Sequence, residues 1–177
     1  FDAAVDAYYE DPTSNEMQRA AIGALIQMVD HDDYEKALSL CEGMIKNKLP
    51  NPGIFEIAGV AAFASNKFDE AEAYFDVASK QNALGRMGSR YLMQLPEMKK
   101  NWEIEKAIRA KEAAADNLPR IVFKTNKGNI TIELFENEAP NTVANMISLV
   151  ENRYYDGLTF HRVLPQFMAQ GGCPDGN

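Results

Sequence analysis

The stretch Tyr154–Gly172, YYDGLTFHRVLPQFMAQGG, contains the side chains of this chain that are best suited to chemistry. Arg162 stands out because a guanidinium stays charged throughout the physiological pH range and offers five donors in a fixed fork. Beside Phe167 and Met168, it would form a hydrogen-bond donor at the rim of an apolar patch. An arginine that pairs with a surface carboxylate is the ordinary alternative, and the local pattern leaves both interpretations open.

Two short strands are expected to position this arginine. Leu158–Leu164 is rich in β-branched and aromatic residues, and it must end or bulge at Pro165, which cannot donate to a strand ladder. Phe167–Gln170 is a second extended run, closed by a double glycine at which the backbone can turn sharply. Strict alternation assigns the residues of the first strand to two faces: Phe160, Arg162 and Leu164 on one, His161 and Val163 on the other.

The run FHRVLPQFMAQGG resembles the signature of the cyclophilins, a family of peptidyl-prolyl cis-trans isomerases. The segment before it, IVFKTNKGNITIELFENEAPNTVANMISLVENRYYDGLTF, is similar to the opening of the same domain, so the resemblance covers residues 118–177. It implies that Arg162 is the central catalytic residue and that His161 has a structural role near the site. It also implies three substrate-binding residues: Phe167, Met168 and Gln170.

The chemistry implied by the resemblance is rotation about the peptide bond that precedes a proline. Amide resonance sets a barrier of ~18–20 kcal/mol, so the uncatalysed reaction takes roughly tens to hundreds of seconds. A donor aimed at the prolyl nitrogen binds the twisted amide better than the planar one, which accelerates the rotation. No nucleophile, metal or cofactor is required, and we expect none.

The N-terminal part of the chain contains an internal repeat. Aligning Ala37 with Ala71, an offset of 34 residues, places DDYEKALSLCEGM over NKFDEAEAYFDVA. This period, with small residues on the facing sides of helices, resembles the tetratricopeptide repeat in two degenerate copies. Further helices are predicted over Asp2–Tyr9 and Arg86–Leu95, and Asp32 or Asp33 is expected to cap the second helix of the first copy. Repeats of this kind bind peptides or partner proteins, although a helical bundle that only packs or dimerises remains an alternative.

The sequence predicts two domains. Pro96 should interrupt a helix that resumes over Glu97–Ala115 as an exposed linker, and Asp116–Pro119 should end it. The period then changes to two strands joined by a hairpin turn, followed by a helix over Pro140–Glu151. We therefore expect an α+β multidomain chain: all-α helical-hairpin repeats over residues 1–117, then the opening portion of a cyclophilin-like β-barrel over residues 118–177.

Charge and composition exclude some classes of partner. The net charge is −8, and residues 118–177 carry five basic and six acidic side chains, which leaves −7 for residues 1–117. Because no basic footprint exists, we expect no nucleic-acid partner, and no apolar run is long enough for membrane insertion. The chain begins with Phe1 rather than Met, so we expect a trimmed N-terminus, and the compartment is not predicted.

Three functions follow from the sequence. The leading one is a peptidyl-prolyl isomerase that acts on proline-containing peptides or unfolded proteins, with a partner recruited by the helical repeats. The second is a binding protein whose repeats do the work, and the third is a chaperone that uses exposed apolar surface. Since the chain ends inside the cyclophilin-like domain, we expect a portion of a longer isomerase, weakly active or inactive by itself.

Overall fold

The computed structural model describes residues 2–48, 51–165 and 167–176. The chain divides into two compact units, residues 1–104 and 105–177, and each is described by itself. Six helices lie before the first strand in the described residues: α1 Asp2–Glu10, α2 Asn15–Asp30, α3 Tyr34–Lys46, α4 Gly53–Ala64, α5 Phe68–Lys80 and α6 Arg86–Ala115. The predicted helix at Asp2–Tyr9 is confirmed to within one residue.

The 34-residue repeat is visible in the backbone. Helices α3 and α5 begin and end 34 residues apart. The turns that precede them are also alike, because Asp32 and Asn66 both have φ of 60°. In each turn a backbone N–H donates over 2.9 Å to a carbonyl near the end of the previous helix, from Asp33 to Met28 and from Lys67 to Ala62. The two hairpins therefore use the same helix-ending motif, whereas the tetratricopeptide resemblance stays a prediction.

The predicted side-chain cap of α3 is wrong. Asp33 occupies the N-cap position, but its side chain makes no capping hydrogen bond. Asp32 lies in the left-handed turn, and its Oδ1 accepts a hydrogen bond of 2.6 Å from the Tyr34 hydroxyl. The aspartate next to the helix start is thus engaged by a tyrosine instead of by backbone N–H groups.

Helix α4 lies at the centre of the first unit, in contact with α2, α3 and α5. Small residues allow this close packing: at Gly59, an added Cβ would lie 2.4 Å from the Phe75 ring. Gly59 is buried, and Phe75 is fully buried, as is its equivalent in the first copy, Cys41. Burial raises the pKa of the Cys41 thiol to about 12, so this side chain acts as a small apolar group. The largest fully buried side chains of this core are Tyr8, Phe75, Leu25, Met28, Leu38, Met44, Ile54 and Leu95.

The expectation that Pro96 interrupts its helix is wrong, since α6 is continuous from Arg86 to Ala115. Packing on both sides of the proline explains this result. Before it, Tyr91 lies against Phe63 with ring centroids 4.6 Å apart, and after it Trp102 packs edge-on against Phe68 at 6.4 Å. These contacts hold the helix in place despite the backbone hydrogen bond that a proline removes.

The second unit contains two antiparallel hairpins and one further helix. Strands β1 (Arg120–Thr125) and β2 (Gly128–Glu133) pair with each other, and so do β3 (Phe160–Leu164) and β4 (Met168–Gly171). Helix α7 (Pro140–Glu151) lies between the hairpins in sequence and has the predicted bounds. No closed barrel forms among the residues that the structure describes, in agreement with the expected opening portion of a barrel.

Gly59 should tolerate no larger residue. We expect Gly59→Ala to destabilise the helical unit by about 1–3 kcal/mol, because its Cβ would overlap the buried Phe75 ring. Gly23 in α2 is the matched control: an added Cβ meets nothing within 4 Å. Gly23→Ala should therefore stabilise the unit by roughly 0.5–1 kcal/mol. Urea unfolding of both variants measures the two effects, and equal changes would contradict this packing.

A second prediction concerns Glu112, near the end of α6. Its Oε1 is buried without a hydrogen-bond partner among the described residues. Burial and the charges of Glu138 and Glu133 raise the pKa of this carboxyl above its ordinary value. Because the charged form is disfavoured in the native state, wild-type stability falls as the pH rises from the unfolded to the folded pKa.

Glu112→Gln should consequently be more stable than wild type at neutral pH, with the gain disappearing as the pH falls below 4.5. The exposed Glu97 provides the control, as Glu97→Gln should change stability little at either pH. Unfolding curves at neutral pH and below pH 4.5 test this prediction. If Glu112→Gln were stabilised equally at both pH values, the charge of Glu112 would not be the cause.

Candidate active site

The hairpin of β3 and β4 carries the residues singled out by the sequence. In its register, Arg162 lies opposite Gln170 and Leu164 lies opposite Met168. Opposite residues of an antiparallel pair project from the same face, and the pattern repeats every second residue. Arg162, Met168 and Gln170 therefore share one face of the hairpin, which we call the arginine face. Phe167 lies in the connecting turn, where its N–H donates to the Leu164 carbonyl over 3.1 Å.

The arginine face is open to solvent. Arg162 and Gln170 are exposed, Met168 is half-buried, and Phe167 is 76% exposed, a large fraction for a phenylalanine. Within the described ranges, no carboxylate lies within ion-pair distance of the Arg162 guanidinium. The alternative of a surface ion pair is thus not realised in this part of the chain. The Arg162 side chain is exposed to solvent.

Strict alternation along β3 is broken by a β-bulge. The register shifts between Phe160 and Arg162, because Phe160 lies opposite Gly171 while Arg162 lies opposite Gln170. Gly171 and Gln170 are neighbours in β4 and face opposite ways, so Phe160 and Arg162 also lie on opposite faces. The prediction that Phe160 shares the face of Arg162 and Leu164 is therefore wrong. The extra residue, His161, has no counterpart on β4.

His161 is half-buried at this bulge. Its Nδ1 is buried and has no hydrogen-bond partner among the described residues. The structural role implied for this histidine consequently has no hydrogen bond to support it here, and it stays a prediction.

An open cavity of about 700 Å³ lies in the same unit. It is lined by β1, α7 and the segment that leads into β3, with Phe123, Met146, Tyr155 and Phe160 among its apolar residues. None of the residues of the arginine face lines this cavity. The sequence did not predict this cavity as a surface separate from the arginine face. Strict alternation along β3 places Phe160 on the same face as Arg162, whereas the structure places it in the cavity lining.

Two tyrosines support the ends of the hairpin. The Tyr155 hydroxyl lies 3.3 Å from the Met146 sulfur, and its ring packs edge-on against Phe123 at 5.9 Å. The Tyr154 hydroxyl donates to the Gly172 carbonyl over 3.3 Å. Gly172 has φ of 92°, a conformation that favours glycine, and the turn after β4 lies at Pro174 and Asp175. These contacts tie the start of β3 and the end of β4 to α7 and β1.

The described residues contain no cluster of histidine, cysteine, aspartate or glutamate side chains suited to a metal ion. None of the helices described is both long and apolar enough to cross a membrane.

Comparison with known proteins identifies the segment that carries this hairpin. Residues 120–177 match the family described as cyclophilin type peptidyl-prolyl cis-trans isomerase/CLD. This segment is similar to part of a cyclophilin-type domain. The cyclophilin-type segment begins at β1 and contains both hairpins, α7 and the arginine face.

Curated relatives agree with this assignment. A peptidyl-prolyl cis-trans isomerase of Synechococcus elongatus is 54% identical over 59 residues, which are 33% of this chain and 41% of that protein. One from Helicobacter pylori strain J99 is 48% identical over 77 residues, 44% of either protein. The chain thus spans less than half the length of these relatives. No solved structure was found to match it.

Proposed function

We propose that this protein is a peptidyl-prolyl cis-trans isomerase whose catalytic arginine is Arg162. The observation that carries the proposal is the arginine face, on which Arg162, Met168 and Gln170 come together within the cyclophilin-type segment. The names of the relatives support the same reaction. We further propose that the chain divides into a helical repeat domain, residues 1–117, and an incomplete cyclophilin-like domain, residues 118–177.

Arg162 acts on the twisted state of the substrate. As the X-Pro bond rotates, resonance is lost and the prolyl nitrogen regains its lone pair. A guanidinium N–H that donates to this nitrogen stabilises the twisted amide more than either planar form, which lowers the barrier. Each ~1.4 kcal/mol of this preference accelerates the rotation tenfold. Among the residues that the structure describes, no carboxylate lies within ion-pair distance of the exposed guanidinium, so none competes with a substrate for its donors.

The neighbouring residues hold the substrate. Phe167 and Met168 offer apolar surface for the proline ring, and covering the exposed Phe167 ring would remove water from the reacting bond. Gln170, opposite Arg162 in the hairpin, has an amide that can both donate to and accept from the substrate backbone. Its position next to the guanidinium allows one peptide to contact both side chains.

The helical unit is proposed to recruit substrates or a protein partner. The 34-residue structural repeat, with equivalent turns at Asp32 and Asn66, supports a module built from stacked helical hairpins. Such modules present extended binding surfaces. A chaperone role that depends on exposed apolar surface is the further alternative.

Removing the guanidinium tests the catalytic proposal. In the longer isomerase that the sequence predicts, we expect Arg162→Ala to lower kcat/KM for a prolyl peptide by about 10²- to 10³-fold, the usual effect of losing one transition-state donor. Arg162→Lys should fall between this variant and wild type, because a lysine keeps the charge but loses the planar fork. Exchange NMR on the peptide measures rotation directly, without a coupled protease.

The control for charge is Arg90→Ala, which removes an exposed arginine of α6 and should leave the rate unchanged. Equal rates for wild type and Arg162→Ala would remove Arg162 from the mechanism. Binding of a partner or suppression of aggregation that persists in Arg162→Ala, without any isomerisation in wild type, would favour the repeat module or the chaperone.

A further inference from the structure

Five residues of β3 are paired against four residues of β4. The strand Phe160–Leu164 faces Met168–Gly171, and the additional residue forms the bulge at His161. The alternative pairing of these strands is a regular ladder, in which β3 and β4 pair residue by residue without a bulge. If the bulge were lost and Phe160 stayed opposite Gly171, Arg162 would lie opposite Ala169, and it would leave the face that carries Met168 and Gln170. The bulge therefore determines which residues surround Arg162.

The upstream end of the hairpin is held by close packing. An added Cβ at Gly171 would lie 3.2 Å from the Phe160 ring and 3.3 Å from the Thr159 carbonyl oxygen. The Phe160 ring thus lies directly over Gly171, and the Tyr154 hydroxyl holds the next carbonyl, that of Gly172. This end of the ladder has little freedom to slide.

Burial does not select the register of the remaining residues. Val163 is 62% exposed and Leu164 is 39% exposed, so both faces of the hairpin are open in the described chain. A strand with one buried face resists a one-residue slip, whereas a strand without one does not. The constraint must therefore come from the turn.

Pro165 supplies that constraint. The regular ladder would pair Leu164 with Phe167 and leave a two-residue loop that begins at Pro165. Two-residue hairpin loops adopt turns that require a positive φ at their first residue, and proline is fixed near −65°. In the structure, Leu164 lies opposite Met168 rather than Phe167, so the loop is one residue longer. The Phe167 N–H donates to the Leu164 carbonyl, which puts Pro165 at the second position of a turn in which proline is favoured. The longer loop excludes the regular ladder, and His161 is left over as the bulge.

We propose that Pro165 is a positioning residue, which keeps Arg162 on the face of Met168 and Gln170 by excluding the competing register. Its value to catalysis rests on the proposed function of Arg162. The strand register does not depend on that function, because the pairing of β3 with β4 is a feature of the structure.

The test is NMR of the isotope-labelled chain, in which strong cross-strand backbone NOEs connect directly opposite residues. Wild type should show Arg162 opposite Gln170. Pro165→Gly should lose this contact and gain one between Arg162 and Ala169, because glycine accepts a positive φ. Pro165→Ala is the matched control and should keep the wild-type register, since alanine does not favour a positive φ. A wild-type register in Pro165→Gly would overturn the proposal.

If the Pro165→Gly variant does not form the β3–β4 hairpin, deletion of His161 provides a second test of the proposal. With Pro165 present, the shortened strand should lose the bulge and still pair Arg162 with Gln170. If Arg162 moves away from Gln170, the His161 residue sets the register and the proposal fails.

A rescue separates positioning from stability. In the slipped register, residue 163 would lie on the face of Met168 and Gln170. In the longer isomerase that the sequence predicts, adding the exchange Arg162→Val and Val163→Arg to Pro165→Gly should restore isomerase activity that Pro165→Gly loses. No recovery in a hairpin shown to be slipped would contradict a positioning role. A failure of Arg162 as the catalytic residue would appear separately, as activity unaffected by Arg162→Ala while the NOEs follow the proposed register.

Discussion

The pairing of β3 with β4 is the constraint on which the candidate active site depends. The guanidinium and its neighbours come from two strands and one turn, so no single segment brings them together. Their common face arises because opposite residues of an antiparallel pair project the same way. Since Arg162 lies opposite Gln170, the donor and the amide that could hold a substrate are direct neighbours. A change of one residue in the pairing would separate them.

Much of this arrangement could be predicted from the sequence. Helix α7 has the expected bounds because Pro140 suits a first helical turn and the apolar residues that follow have helical spacing. The end of α6 at Ala115 was also predictable, from the turn-forming residues after it. The bulge at His161 was not, because it depends on the number of residues in two strands and in their turn. Alternation read from one strand cannot detect that mismatch.

The helical unit shows the same distinction between local and tertiary signals. The 34-residue repeat is visible in small residues at equivalent positions, such as Ala37 and Ala71, both fully buried where the helices pack. The local signal at Pro96 was misleading, since the packing of Tyr91 and Trp102 on either side keeps α6 continuous. The expected cap of α3 also failed, because Asp33 makes no capping hydrogen bond and the neighbouring Asp32 accepts a hydrogen bond from the Tyr34 hydroxyl. Contacts between residues distant in sequence decided the first case, whereas a contact between near neighbours in the chain decided the second.

The central claim is that a proline-containing peptide binds at the arginine face. The most direct measurement is a titration of the isotope-labelled chain with a short X-Pro peptide, followed by NMR. The account predicts shift changes at Arg162, Phe167, Met168 and Gln170, and their loss in Arg162→Ala. Changes confined to helices α1–α6, with none in the β3–β4 hairpin, would contradict it and assign peptide binding to the helical unit.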